Sequence, residues 1–269
     1  MELGLHNHRI LVTGGASGIG LAVARMFANE SADVVLWDAD EQVEATASEL
    51  AAETGRACFA YQVDISDQAR VGEAIEHLPD DWDGLDHVVH AAAIGSGHFG
   101  FPFTNLEPED WDRVLQVNIR GTVNIAHAVT PLLMHGHDPS LIMIASVAGQ
   151  IGSSTDPPYS ASKAANINFA QCMARDLAVH GIRVNTVCPG MVQTPLNQSV
   201  WQAWNARQPD ESKQSYKDWA DGKIRQIVPL GRWQSPEDIA DMIVFLSSGR
   251  ARNVTGQTIN VDGGYVMHW

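Results

Sequence analysis

Arg9-Ile10-Leu11-Val12-Thr13-Gly14-Gly15-Ala16-Ser17-Gly18-Ile19-Gly20 is the stretch that decides how this 269-residue chain folds. Its first five residues read as a short buried strand. The glycine-rich run follows at once, and residues 21–30 (LAVARMFANE) then show helical periodicity. A strand, a glycine turn and a helix open a nucleotide-binding βαβ unit. Gly14, Gly18 and Gly20 let the backbone turn tightly and approach a pyrophosphate. Its charge is favoured at the helix N-terminus, where Ser17 and Ile19 lie. A glycine-rich turn alone is weak evidence, so its surroundings must carry the reading.

Downstream, Asp33 to Asp38 reads as a second strand ending in an acid, 18 residues beyond Gly20. A carboxylate there can accept hydrogen bonds from both hydroxyls of an adenosine ribose and repel a 2′-phosphate. Ala39, Asp40 and Glu41 offer no cation for such a phosphate, so NAD is expected over NADP. An amphipathic helix follows over 41–53, then a strand from Cys58 to Val63 that ends at Asp64-Ile65-Ser66. Asp64 and Ile65 are expected to reach the adenine, with a helix N-cap at Asp64 as the alternative. A helix over 67–78 and a strand from Leu85 to Ala91 come next. His90 at that strand's end reads as a ligand, a base or a satisfied structural residue, and the structural role is favoured.

Residues 95–107 form a loop where ligands bind in parallel sheets. Pro108-Glu109-Asp110 starts a helix expected to run to Met134, with Asn118 inside it. Asparagine is a mediocre helix former that often bonds locally or distorts the turn. Support for catalysis and a structural role are equally open there.

Leu141 to Ala145 reads as the next strand, and it ends in Ser146. Tyr159 follows thirteen residues later and Lys163 four after that, on one face of a helix. An ammonium beside a phenol favours the phenolate. Lowering a tyrosine from about 10 to about 7 needs roughly 4 kcal/mol. One charge at about 4 Å supplies that at an effective dielectric of about 20. Such a pair is common on helices without chemistry. Ser146, which could hold the same substrate oxygen, makes an acid/base centre the better reading.

Beyond it, Ile182 to Cys188 forms a strand ending in Pro189-Gly190-Met191-Val192-Gln193-Thr194-Pro195. Residues 191–228 are read as a helical lid over the substrate, carrying Trp201, Trp204, Tyr216 and Trp219. Three of the four lysines fall there, Lys213, Lys217 and Lys223. A solvated helix face is the preferred reading for them, and a pull on an anionic substrate the other. Ser235-Pro236-Glu237-Asp238 starts a helix to about Leu246. Thr258 to Val261 is the last strand, and the tail Tyr265 to Trp269 is expected to be buried within or between subunits.

These features together resemble the short-chain dehydrogenase/reductase family over nearly the whole chain. The matching residues are Thr13-Gly14 with Gly18-Ile19-Gly20, Asp38, Asp64, Asn118, Ser146, Tyr159 with Lys163, Pro189-Gly190, Thr194 and Val261-Asp262-Gly263-Gly264. The resemblance implies an α/β, Rossmann-like doubly wound parallel sheet with helices on both faces, here a single domain over 1–269. It implies hydride transfer with NAD. Tyr159 would be the general acid/base and Ser146 would polarise the substrate oxygen. Lys163 would lower the tyrosine's pKa and bond the nicotinamide ribose. Asn118 would hold a relay water, and Pro189, Val192 and Thr194 would orient the carboxamide. His90 and Ala91 would stand at the cofactor wall. There the family usually shows Asn-Asn-Ala-Gly, and this chain reads His90-Ala91-Ala92-Ala93. The bracing of that wall is therefore the open point.

The substrate is expected to be a small secondary alcohol or its ketone, lined by Ser146, Gln150, Tyr159, Trp201 and Trp204. Gln150, Gln193, Asn197 and Gln198 tilt the choice toward a polyol or sugar over a cyclic or aromatic alcohol. An NADPH-dependent 3-oxoacyl-type ketoreductase and a non-catalytic dinucleotide sensor are the alternatives. The family also implies a homo-oligomer, most often a tetramer. A formal charge of −15 argues against nucleic acid or anionic membrane partners. Forty-five per cent apolar and 18 per cent charged residues suit a globular protein. Three dispersed cysteines indicate neither a disulfide framework nor a metal site. With no signal peptide and no apolar run of spanning length, a cytoplasmic protein is expected.

Overall fold

A computed structural model describes residues 2–153 and 155–267. Seven strands form one parallel sheet: β1 (Arg9–Thr13), β2 (Asp33–Asp38), β3 (Cys58–Gln62), β4 (His87–His90), β5 (Ser140–Ile144), β6 (Arg183–Pro189) and β7 (Thr258–Val261). Their order is β3-β2-β1-β4-β5-β6-β7. Strands β4, β5 and β6 are buried along their whole length, as expected where both faces of a parallel sheet are covered.

One face is covered by α1 (Gly18–Asn29), α2 (Val43–Thr54) and α9 (Pro236–Ser247), through Phe27, Leu50 and Ile243. The other is covered by α3 (Gln68–Glu76), α5 (Thr122–Leu133) and α6 (Pro157–Leu177), through Val71, Ile125 and Met173. A reciprocal capping box between Ser235 and Asp238 starts α9. The buried guanidinium of Arg183 on β6 donates to the carbonyls of Leu246 and Ser247 at its other end. Those carbonyls have no partner within the helix, so the cation satisfies groups whose burial would otherwise be costly.

The helix expected from Pro108 to Met134 is not continuous. It comprises α4 (Glu109–Leu115), a π-helical segment (Gln116–Gly121) and α5. The wider turn contains Asn118, whose side chain is bound outside the helix. A π segment of this kind commonly marks a functional site. In the tail, Tyr265 and Val266 pack against Ala145, Val147 and Cys188, whereas Met267 is exposed. His268 and Trp269, also expected to be buried, lie outside the described residues. Among the described residues no helix is long and apolar enough to cross a membrane.

The strand order reverses between β1 and β4. Ligands in open parallel sheets bind in the crevice that this reversal leaves at the strands' carboxyl ends.

Candidate active site

A cleft of about 580 Å³ lies at those strand ends. Its floor includes Gly14, Ser17, Gly18, Ile19 and Gly20. Gly14 has φ +71°, and a Cβ there would lie 2.7 Å from the backbone nitrogen of Ala92. At Gly20 a Cβ would fall 1.9 Å from the carbonyl oxygen of Gly14. The turn can therefore fold onto its own helix only without side chains at these two positions. Ser17 forms no side-chain cap, so the first amides of α1 keep their donors beside the cleft. Uncapped amides at a helix N-terminus over a bare glycine backbone fit the pyrophosphate of a dinucleotide.

Asp38 and Asp64 stand at the ends of β2 and β3, along the same cleft. The Asp38 carboxylate accepts from the amides of Ala16 and Asp40, which fixes it against the glycine turn. Burial pushes the Asp64 carboxyl up, but hydrogen bonds from Ser66 and the charge of Arg113 outweigh this and hold it below its ordinary value. The cap of α3 is Asp67, accepting from Ala69 and Arg70, so Asp64 is not the N-cap. Ile65, Ala91, Pro189, Val192 and Thr194 line the cleft as well.

Ser146, Tyr159 and Lys163 line the same cleft. Ser146 ends β5 and accepts from the amide of Ala148, which leaves its own proton free to donate. Asp156 was not anticipated from the sequence. It caps α6 by accepting from the Tyr159 amide and also accepts from the Ser96 amide, thereby positioning the tyrosine and the loop opposite. Its signal was the Asp-Pro-Pro run at a helix start. Burial raises the Asp156 pKa.

The electrostatics differ from the sequence expectation of a tyrosine near neutrality. Burial pushes Tyr159 up to about 12, with the Ser146 hydroxyl easing it down, and pushes Lys163 down to about 8. The ammonium of Lys163 donates to the carbonyl of Ile144 at 2.7 Å and sits 5.5 Å from the Tyr159 ring centre. Desolvation therefore outweighs the pairing, and Tyr159 is a phenol at neutral pH in the protein alone.

A family model described as enoyl-(acyl carrier protein) reductase matches residues 14–266. The chain belongs to the short-chain dehydrogenase/reductase family. It is 34% identical over 267 residues to galactitol 2-dehydrogenase of Agrobacterium fabrum, covering 98% of this chain and 99% of that one. It is 31% identical over 258 residues to a 3-oxoacyl-(acyl-carrier-protein) reductase of Thermotoga maritima, covering 96% and 97%. The crystal structure of L-sorbose reductase from Gluconobacter frateurii, complexed with NADPH and L-sorbose, superimposes with a TM-score of 0.90 at 27% identity. That match covers 100% of both chains. The protein is thus an oxidoreductase of the short-chain type.

Within that family frame, two site residues sit differently from the sequence reading. Asn118 is wholly buried, and its side chain is engaged by protein groups. It donates to the Ile94 carbonyl and the Ser162 hydroxyl and accepts from the Ile94 amide. It clamps the cleft wall to α6. His90, expected among the cofactor contacts, does not line the cleft. Its ring lies behind the wall, Nδ1 2.8 Å from the Thr13 hydroxyl and Nε2 2.9 Å from the Thr122 hydroxyl. The Thr122 hydroxyl donates to the Asn118 carbonyl, and the Ala92 amide donates to the Thr13 hydroxyl. One proton order satisfies every group: Thr13 donates to Nδ1, and Nε2 donates to Thr122. Burial drives the His90 pKa down to about 3, so the ring is neutral, as this order requires. A buried histidine thus ties β1, β4 and α5 together where the departure from the family run left the bracing open. His90→Ala should cost about 2–4 kcal/mol of stability through the cavity and the unpaired hydroxyls, read by urea or thermal denaturation.

Three expected substrate residues are also placed elsewhere. Gln150 exchanges amide hydrogen bonds with Asn260 and does not line the cleft. The Trp201 indole donates to the Gln214 carbonyl, and Trp204 packs 6.3 Å from Trp219, both outside the cleft lining. Both lie on α7 (Pro195–Ala206) and serve an aromatic cluster with α8 (Tyr216–Ile227). The cleft instead receives Trp219 and Lys223 from α8. Their spacing of four on an amphipathic helix was the available signal.

Proposed function

We propose that this protein is an NAD(H)-dependent oxidoreductase that interconverts a small secondary alcohol and its ketone. The observation that carries the reading is one cleft lined both by the bare glycine turn with Asp38 and by Ser146, Tyr159 and Lys163. The dinucleotide, when bound, supplies or accepts the hydride. In reduction, the Tyr159 phenol gives its proton to the carbonyl oxygen, which the Ser146 hydroxyl holds. In oxidation, the phenolate takes the hydroxyl proton. Lys163 stabilises the phenolate and holds the ribose, Asn118 supports the wall beside it, and Pro189, Val192 and Thr194 orient the carboxamide. Polyols and sugars fit best among substrates. Galactitol 2-dehydrogenase and L-sorbose reductase, named for such compounds, align along almost the full chain.

The similarity to a 3-oxoacyl reductase supports a second reading, a ketoreductase using NADPH. Asp38 opposes it, because a carboxylate fixed beside the glycine turn would repel the 2′-phosphate of a ribose bound there. We expect kcat/KM with NADH to exceed that with NADPH by at least about 100-fold, and Asp38→Ala to narrow the ratio at least tenfold. Equal use of both dinucleotides by the unaltered protein would overturn the NAD assignment. A panel of polyols, sugars and cyclic alcohols, followed by absorbance of the reduced cofactor, tests the activity itself. We further propose a cytoplasmic homotetramer built on α4, α5, α6 and the C-terminal segment, whose subunit number light scattering checks.

A further inference from the structure

Helix α8 brings into the cleft a cation that has no ion-pair partner among the described residues. Of the four lysines, Lys163 donates to the Ile144 carbonyl, Lys213 pairs with Asp210 and Lys217 with Asp221. Lys223 has neither a hydrogen-bond acceptor nor an ion-pair partner among the described residues. It lines the cleft half-buried, its Nζ 4.4 Å from the centre of the Trp219 ring, which also lines the cleft. The indole nitrogen of Trp219 is likewise buried without an acceptor. An unpaired, partly desolvated ammonium is unusual in a chain of formal charge −15, where carboxylates to pair with are plentiful.

The charged groups lining the cleft locate the role of Lys223. Asp38 and Asp64 stand at β2 and β3, on the far side of the strand-order reversal, each already hydrogen-bonded. Arg113 lies 3.9 Å from Asp64. On the side formed by β5, β6 and the segment after β6, the carboxylate in the lining is Asp156, held by the amides of Ser96 and Tyr159. Two cations therefore line the side that carries Ser146 and Tyr159: Lys163, bound to the Ile144 carbonyl, and Lys223, which among the described residues has neither an acceptor nor an ion-pair partner.

We propose that Lys223 is a specificity residue selecting a hydroxy or oxo substrate that carries a carboxylate, sulfonate or phosphate group, with the Trp219 ring as the flat wall for its carbon skeleton. The proposal rests on the alcohol/ketone reading above. Burial lowers the Lys223 pKa, and a bound anion would raise it again.

The test uses matched pairs, galactitol with galactonate and methyl 3-hydroxybutyrate with 3-hydroxybutyrate, assayed with NAD. Within a pair the anion should be preferred at least about tenfold in kcat/KM at low ionic strength, and salt should erode the preference. K223Q should collapse that ratio at least about tenfold, mainly through KM, and K223R should restore most of it. Equal loss for both members of each pair would overturn the proposal. So would a several-fold rise in the NADH dissociation constant of K223Q, measured by fluorescence, because Lys223 would then serve the cofactor's phosphates. Calorimetry on the NADH-loaded protein with 3-hydroxybutyrate, galactonate and glycerol 3-phosphate needs no turnover. Absence of binding by all three overturns the proposal. Binding that depends on Lys223, without turnover of any alcohol, supports it and overturns the alcohol/ketone reading instead.

Discussion

Tyr159→Phe is expected to lower turnover by at least about 1,000-fold while NADH affinity stays within about twofold, because proton transfer by one positioned group contributes on this scale. The substitution keeps the ring and its packing on α6 and removes only the hydroxyl that can exchange a proton with substrate oxygen. Stopped-flow turnover and a fluorescence titration with NADH check the two halves separately. Residual activity above about a tenth would mean that another group handles the proton. The pH dependence sharpens the test. Tyr159 is pushed up to about 12, so it is a ready proton donor at neutral pH and a poor acceptor. Ketone reduction should hold level through neutrality and fall as pH rises past about 8, where Lys163 loses its charge. Alcohol oxidation should instead climb with pH toward about 8 as the phenolate becomes accessible, and level off once Lys163 no longer stabilises it.

Gly20→Ala should remove dinucleotide binding, raising the NADH dissociation constant by more than about 100-fold, and cost about 1–3 kcal/mol of stability. The added methyl would lie 1.9 Å from the Gly14 carbonyl oxygen, an atom of the backbone that no rotamer change can move aside. Helix α1 must retreat from its own turn, which carries its first amides away from the phosphates they would hold. A fluorescence titration with NADH and a thermal melt measure the two effects. Wild-type affinity in this variant would remove the glycine turn from the cofactor site. By comparison, a methyl at Gly72 meets nothing within 4 Å, so Gly72→Ala is the control for a general loss of fold.

The sheet was legible because its strands are short and mostly apolar, and β1, β2, β3, β6 and β7 are each followed closely by glycine, proline or an acid at the carboxyl end. What stayed hidden depends on partners far apart in the chain. Gln150 is amide-rich and close in sequence to Ser146, but Asn260, 110 residues away, occupies both ends of its side chain. The π segment is stabilised by bonds from Asn118 to Ile94 and Ser162, which no local pattern encodes. Among the aromatics after β6, composition announced a cluster but not which face meets the cleft. Docking of α8 turned Trp219 and Lys223 inward and left Trp201 and Trp204 to their neighbours. Spacing also placed Lys163 beside Tyr159 without showing how deeply both are desolvated, which inverted the expected acidity.

The imidazole between Thr13 and Thr122 bears on how any titration of this enzyme is interpreted. With a pKa of about 3 it carries one proton throughout the working range and cannot contribute an inflection near 6 or 7. A limb in that region of a rate profile must be traced to substrate or to another ionisation, however tempting a histidine behind the cofactor wall looks. The same depressed pKa makes this crossbeam sensitive to acid: as pH falls from about 6.5 toward about 3 the unfolded chain gains a proton that the folded imidazole does not, and the stability it contributes declines.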